Sequence, residues 1–199
     1  MPTAEEITRH FDDDPDDIQW VGVDPPPQPI NVVEPDPAWP AQFEVLAARL
    51  RSALGNRALA VEHVGSTSVP GLAAKPIIDI DVTVADPRDE PSYVPDLEAA
   101  GFRLRLREPS WHEHRLVVAD DPRANIHVFG VDGPEVIRHR MLRDWLSEHP
   151  DDRERYAAAK RTSAEASNNG GGGVGDYNQH KQPVVRDILD RIFRAYGLL

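Results

Sequence analysis

The chain has 199 residues, 40% of them apolar, no cysteine, and a formal net charge of −12 at pH 7. That length supports one domain with its own core, and the lack of thiols excludes a disulfide framework or a thiolate zinc centre. Ten of the 34 acidic residues but only one of the 22 basic residues fall within residues 1–40. Such a surface lacks the basic footprint that nucleic acid requires, yet a local basic pocket could still take a small phosphate compound.

No apolar run reaches the ~18 residues of a membrane span. The first stretch, MPTAEEITRHFDDDPDD, has no apolar signal-peptide region. The expectation is a soluble, cytoplasmic protein with no membrane partner. Residues 1–40 also hold nine of the nineteen prolines. Acid-rich and proline-rich, residues 1–27 are expected to be a tail that resists packing as a core, with residues 28–199 as the domain.

Within the domain, Ile30 to Val33 could lie down as a first strand. Asp36-Pro37 then signals a helix start. Phe43, Leu46, Leu50 and Leu54 recur at helical spacing, and Gly55 stops the run. Arg57 to Val64 reads as a strand, and so does Pro76 to Val84. A short helix ends at Gly101, and the alternating FRLRLRE suggests a half-exposed strand. HEHRLVVA and ANIHVFG, separated by DDPR, suggest a hairpin. Gly133-Pro134 opens a helix carrying Ile137, Met141 and Trp145 on one face, and Pro150 ends it. Two more helices follow, joined by the glycine-rich NNGGGGVG. The last runs from about Tyr177 to Tyr196. The fold class is therefore α/β (α+β): a small mixed sheet of four to six strands flanked by helices.

The informative stretch is Gly65 to Val84, GSTSVPGLAAKPIIDIDVTV. On a strand, residues two apart point the same way. Asp79, Asp81 and Thr83 thus share one face, and Ile78, Ile80, Val82 and Val84 share the core face. Two carboxylates at that spacing can converge on a hard cation such as Mg²⁺ or Mn²⁺. Alternation alone also fits a plain solvent face, but aspartate is depleted in strands. Gly65-Ser66-Thr67 leaves the preceding strand in a turn whose backbone N–H groups can approach a phosphate. It is neither a Walker loop nor a nucleophile elbow.

A strand, Gly65-Ser66, then a D-x-D strand resembles the nucleotidyltransferase superfamily pattern. More closely, VEHVGSTSVPGLAAKPIIDIDVTV is similar to the hallmark stretch of the GrpB family. Pro37-x-Trp39, ANIHVF, RHRMLRDWLSEHP, Lys160, and Tyr177 with Lys181 extend the resemblance over about residues 30–195. The resemblance implies a nucleotidyltransferase-type fold, and the family also occurs fused to dephospho-CoA kinase. It further implies a metal-dependent nucleotidyl transfer from an NTP, with Asp79 and Asp81 as catalytic, metal-holding carboxylates. Gly65, Ser66, Thr67, Lys75, Asn125, His127, Arg138, Lys160, Tyr177 and Lys181 are then the nucleotide- or phosphate-binding candidates, and Arg143 could join Arg138.

The superfamily's third carboxylate has no counterpart on the ANIHVF strand, which offers Asn125 and His127 instead. That departure keeps open an alternative: a non-catalytic module that binds a nucleotide or CoA-like phosphate. His112 and His114, with His127 across the hairpin, are either a metal cluster or ordinary surface histidines. NNGGGGVG is either a lid hinge or a slack connector.

Overall fold

The computed structural model describes residues 1–12, 14–23 and 26–199. In chain order the elements are α1 (Ala4–Thr8), β1 (Gln19–Trp20), α2 (Trp39–Leu54), β2 (Ala60–Val64), β3 (Ile78–Val84) and α3 (Val94–Ala99). Then come β4 (Arg103–Glu108), β5 (His114–Asp120), β6 (Arg123–Gly130), α4 (Pro134–Glu148), α5 (Pro150–Gly170) and α6 (Val174–Ala195). The six strands form one sheet in the order β1-β4-β5-β6-β3-β2. All neighbours are antiparallel except β3 and β6, which run parallel. A parallel pair needs a crossover, and here α3, β4 and β5 supply it.

Alternation decides which face is buried. Ile78, Ile80, Val82 and Val84 of β3 and Ala124, Ile126 and Val128 of β6 turn to the side covered by α2. There Phe43, Leu46, Leu50 and Leu54 meet them, as the helical spacing predicts. Leu46 and Leu50 are fully buried, so truncating either to alanine costs about 2–5 kcal/mol. A second core lies among α4, α5 and α6. It joins Leu146, Tyr156, Ile188, Ile192 and Phe193 with Val69 and Leu72 from the loop before β3.

The polar face of β3 is therefore enclosed by the helical layer, with α4 laid over it. That burial, not a solvated strand face, is the setting of Asp79 and Asp81.

The acidic front segment is a docked strap rather than a loose tail. Ile7 enters the second core, and Arg138 donates to the carbonyls of Ile7 at 2.7 Å and Arg9 at 2.9 Å. Arg186 holds the Phe11 carbonyl and the Asp12 carboxylate, and His10 meets Asp190 at 2.9 Å. Gln19 and Trp20 add an edge strand to β4. One apolar anchor and a set of arginines facing an acidic segment accomplish what its mean composition does not suggest. Asp13, Asp24 and Pro25 of the expected tail lie outside the described residues.

Element ends also shift. Val33 makes an isolated bridge to Ala74 in place of a strand over Ile30 to Val33. Asp36 caps the Ala38 amide at 2.8 Å, so α2 begins two residues after Pro37. α5 runs through the two asparagines to Gly170, and α6 starts at Val174. Only residues 171–173 remain of the expected glycine-rich loop, with Gly171 as a left-handed helix end.

Candidate functional site

Strand register assembles the site. Asp79 is opposite Asn125 and Asp81 opposite His127 on β6, while Glu62 of β2 faces Asp81 from the other side. Paired residues project to the same face, so all five lie on the helix-covered side of β3, with Asp81 and Glu62 meeting α4.

Gly65 ends β2 with φ +66°, and a Cβ there would sit 2.5 Å from Asp79 Oδ2. Any other residue would have to displace that carboxylate, so the glycine brings backbone and Asp79 together. Ser66 to Ser68 form a single 3-10 turn, whose first amides have no partner within the turn. Ser68 Oγ donates to the Gly65 carbonyl at 2.6 Å. Thr67, a phosphate candidate from sequence, is buried and pairs its hydroxyl with His63 Nε2 at 3.0 Å. His63 stacks on Phe43 at 4.7 Å. Burial drives its pKa down to about 4, so the ring is a neutral packing element.

Asp79 accepts from Asn125 Nδ2 at 3.0 Å. Burial alone would raise its pKa, but His127, Lys75 and the Asn125 amide outweigh it and hold the carboxyl below its usual range. Lys75 and Lys181 both lie over the Tyr177 ring, at 4.9 and 4.8 Å. Burial, then Lys181, lowers Lys75 to about 8, against the pull of Asp79. Lys160 is 1% exposed, donates to the Ala73 carbonyl and sits 4.6 Å from the Tyr156 ring. Burial, then Lys181, takes it down to about 6. The structure thus brings Lys75, Lys160, Tyr177 and Lys181 together beside Asp79, although they come from one loop and two helices.

Asp81 has a different environment. It is 1% exposed, and His139 Nδ1 reaches both of its oxygens, at 2.9 and 3.1 Å. Burial opposes charge on the ring, yet Asp81 raises His139 to about 9, so the partner is an imidazolium at neutral pH. Next to it on α4, Arg140 binds both oxygens of Glu62 at 2.8 and 2.9 Å.

A third group runs along the hairpin. His114 Nδ1 pairs with Glu108 at 2.7 Å, and His114 Nε2 pairs with His127 Nδ1 at 3.0 Å. His112 turns away from both. Its ring meets Phe11 edge-on at 4.8 Å. Among the described residues no three His, Cys, Asp or Glu side chains are grouped to hold a metal. His114 and His127 are a hydrogen-bonded pair. Arg138 is spent on the strap, and Arg143 donates to the His63 carbonyl at 3.1 Å. Neither is seen among the groups around Asp79.

His139, Glu108 and the Glu62–Arg140 pair belong to no motif legible in the sequence. His139 follows Val136 by three and precedes Leu146 by seven, so it shares the inward helix face with two buried residues. That spacing was the available signal.

For a divalent ion, the donor set is asymmetric. Asp79 and Asp81 supply the hard oxygens Mg²⁺ takes, but those of Asp81 are held by His139. The residues fit one ion held by Asp79 together with substrate phosphates, and do not fit a two-ion arrangement.

The six-stranded mixed sheet with flanking helices, the glycine-serine turn and the two-carboxylate strand define a mixed α/β protein. The chain belongs to the GrpB family, whose model, described as GrpB protein, matches residues 29–191. It is similar to UPF0157 protein BH1888 of Halalkalibacterium halodurans, 44% identical over 191 residues, covering 96% of each chain. That alignment extends well into the strap, so the front segment is not peculiar to this chain. A dephospho-CoA kinase of Mycolicibacterium paratuberculosis is 36% identical over 190 residues, 82% of this chain and 46% of that protein. The crystal structure of the conserved protein GrpB from Enterococcus faecalis superposes with a TM-score of 0.71 at 30% identity. It covers 84% of this chain and 99% of that one.

Proposed function

We propose that the chain binds the phosphates of a nucleotide between the Gly65-Ser66 turn, Asp79 and the lysines around Tyr177. There it transfers a nucleotidyl group from an NTP to an acceptor. The observation that carries the reading is the meeting of Lys75, Lys181 and Lys160 beside Asp79. Lys75 and Lys181, set over the Tyr177 ring, supply the positive charge there in a chain of net charge −12. Mg²⁺ or Mn²⁺, held by Asp79, would neutralise charge on the phosphate oxygens. The Ser66 and Thr67 amides approach the phosphates from the turn, Lys75 and Lys181 offset their charge, and Lys160 fixes the loop that carries Lys75. That some relatives are named dephospho-CoA kinase supports a nucleotide- or CoA-like ligand.

A second reading, binding without transfer, is favoured by one observation: Asp81 is closed by an imidazolium and β6 offers no carboxylate beside it. Titration calorimetry with each NTP, with and without Mg²⁺, on wild type and Asp79→Ala tests the shared part. Binding that disappears in Asp79→Ala is expected; no binding, or equal binding by the variant, overturns the site. Pyrophosphate release from α-labelled NTP separates the readings, since release that requires Asp79 supports transfer and its absence supports the binding module.

A further inference from the structure

We infer that Arg123 belongs to the same site and that the ligand is a polyphosphate, whose chain runs from Asp79 out to Arg123 at the open end of β6. The inference rests on the reading of the pocket beside Asp79 as a phosphate site.

Strand register puts Arg123 there. Side chains two apart on a strand share a face, so Arg123 precedes Asn125 and His127 in one row on the helix-covered side of β6. Asn125 holds Asp79 at 3.0 Å. Ala124 pairs with Ile78 of β3, so Arg123 stands level with the residues that lead from Lys75 into that strand. The two cations are near enough that Arg123 disfavours the charge on Lys75, as Lys181 does more strongly. Arg123 itself is exposed, so this end of the row is open to a ligand.

None of the three cations is paired with an acid. The residue opposite Arg123 on β5 is Asp120, but Arg103 takes both of its oxygens, at 2.9 and 3.0 Å. Among the described residues Arg123 is the one arginine whose side chain has no ion pair, hydrogen bond or aromatic ring. Lys75 and Lys181 have only the ring of Tyr177 between them, at 4.9 and 4.8 Å. Uncompensated charges of one sign lining one place attract a ligand of the other. These three are strung from α6 and the loop to the start of β6 instead of closing on one point. A single phosphate suits a point, and a chain of phosphates suits a row. The planar guanidinium of Arg123 can take two oxygens of the last phosphate.

Titration calorimetry of the full chain, with Mg²⁺, uses ATP, AMP and inorganic tripolyphosphate on wild type, Arg123→Gln and Arg194→Gln. Arg194, 63% exposed in the last turn of α6, controls for the loss of one positive charge. Arg123→Gln is expected to weaken ATP and tripolyphosphate about tenfold, to leave AMP as in wild type, and to keep the thermal midpoint. No tripolyphosphate binding by wild type, unchanged affinity in Arg123→Gln, an equal loss for AMP, or an equal loss in Arg194→Gln overturns the inference. ATP binding that needs Asp79 but not Arg123 leaves the nucleotide site standing without this extension. Tripolyphosphate binding that needs Arg123, in a protein that binds no NTP, leaves the extension standing without the nucleotide. The two failures are therefore distinguishable.

Discussion

Asp79 and Asp81 lie two residues apart on one strand face, yet they occupy opposite kinds of site. Asp81 is sealed: a charged ring holds both oxygens and almost no surface is left. Asp79 is half-buried, takes one bond from a neutral amide, and faces lysines that are bonded to aromatic rings rather than to it. Burying an ion pair contributes little net stability, but removing one partner is costly. Asp81 is thus a fixture of the fold, and Asp79 is the carboxylate free to meet a ligand. The D-x-D pattern alone does not separate the two roles.

The largest test of that contrast is His139→Ala. It strands the Asp81 carboxylate and is expected to cost about 3–5 kcal/mol, read as a lower denaturant midpoint with unchanged slope. The gap between wild type and variant is also pH-dependent. A folded pKa near 9 lies above the unfolded value of about 6.5. The contribution is therefore complete below about pH 6.5 and disappears as pH rises through 9. A gap that is flat with pH breaks the assignment of His139 as an imidazolium.

Gly65→Ala is next. The positive φ and the encounter with Asp79 are expected to cost about 1–3 kcal/mol and to remove nucleotide binding in calorimetry. Retained affinity would show that the turn and Asp79 do not act as one unit.

Lys75→Ala and Lys181→Ala sharpen the open side. Each is expected to weaken NTP binding about tenfold, or ~1.4 kcal/mol, with little change in thermal midpoint. The effect of Lys160→Met is set by pH, because the buried amine sheds in the folded state a charge that it keeps when unfolded. Here the sign reverses. A folded pKa of about 6 lies below the unfolded ~10.4. Wild-type stability relative to the variant is therefore full above that value and falls as pH drops towards 6. Denaturation at pH 6, 8 and 10 measures it.

Much of the open side was legible in the sequence. Period-two alternation fixed which face of β3 carries Asp79, and Tyr177 and Lys181, four apart, had to share a helix face. Their nearness to Lys75 and Lys160 came from resemblance, since no local rule joins a loop to two distant helices. The closed side was not legible. His139 sits between two arginines in a helix of ordinary polarity, and only the crossing of α4 over the sheet decides that it meets Asp81. The docking of the strap is hidden for a related reason: average composition does not register one isoleucine with a slot to enter and arginines elsewhere in the chain.

The strap has a further consequence, for the order in which the molecule comes together. Its partners at Arg138, Arg186 and Asp190 lie 128 to 180 positions further along the chain. Gln19 and Trp20 can pair once β4 is made, but the docking of residues 7–12 is complete only when α6 follows. Contacts of such long sequence separation slow folding. The strap closes the assembly, registering that sheet, α4 and α6 have already found one another.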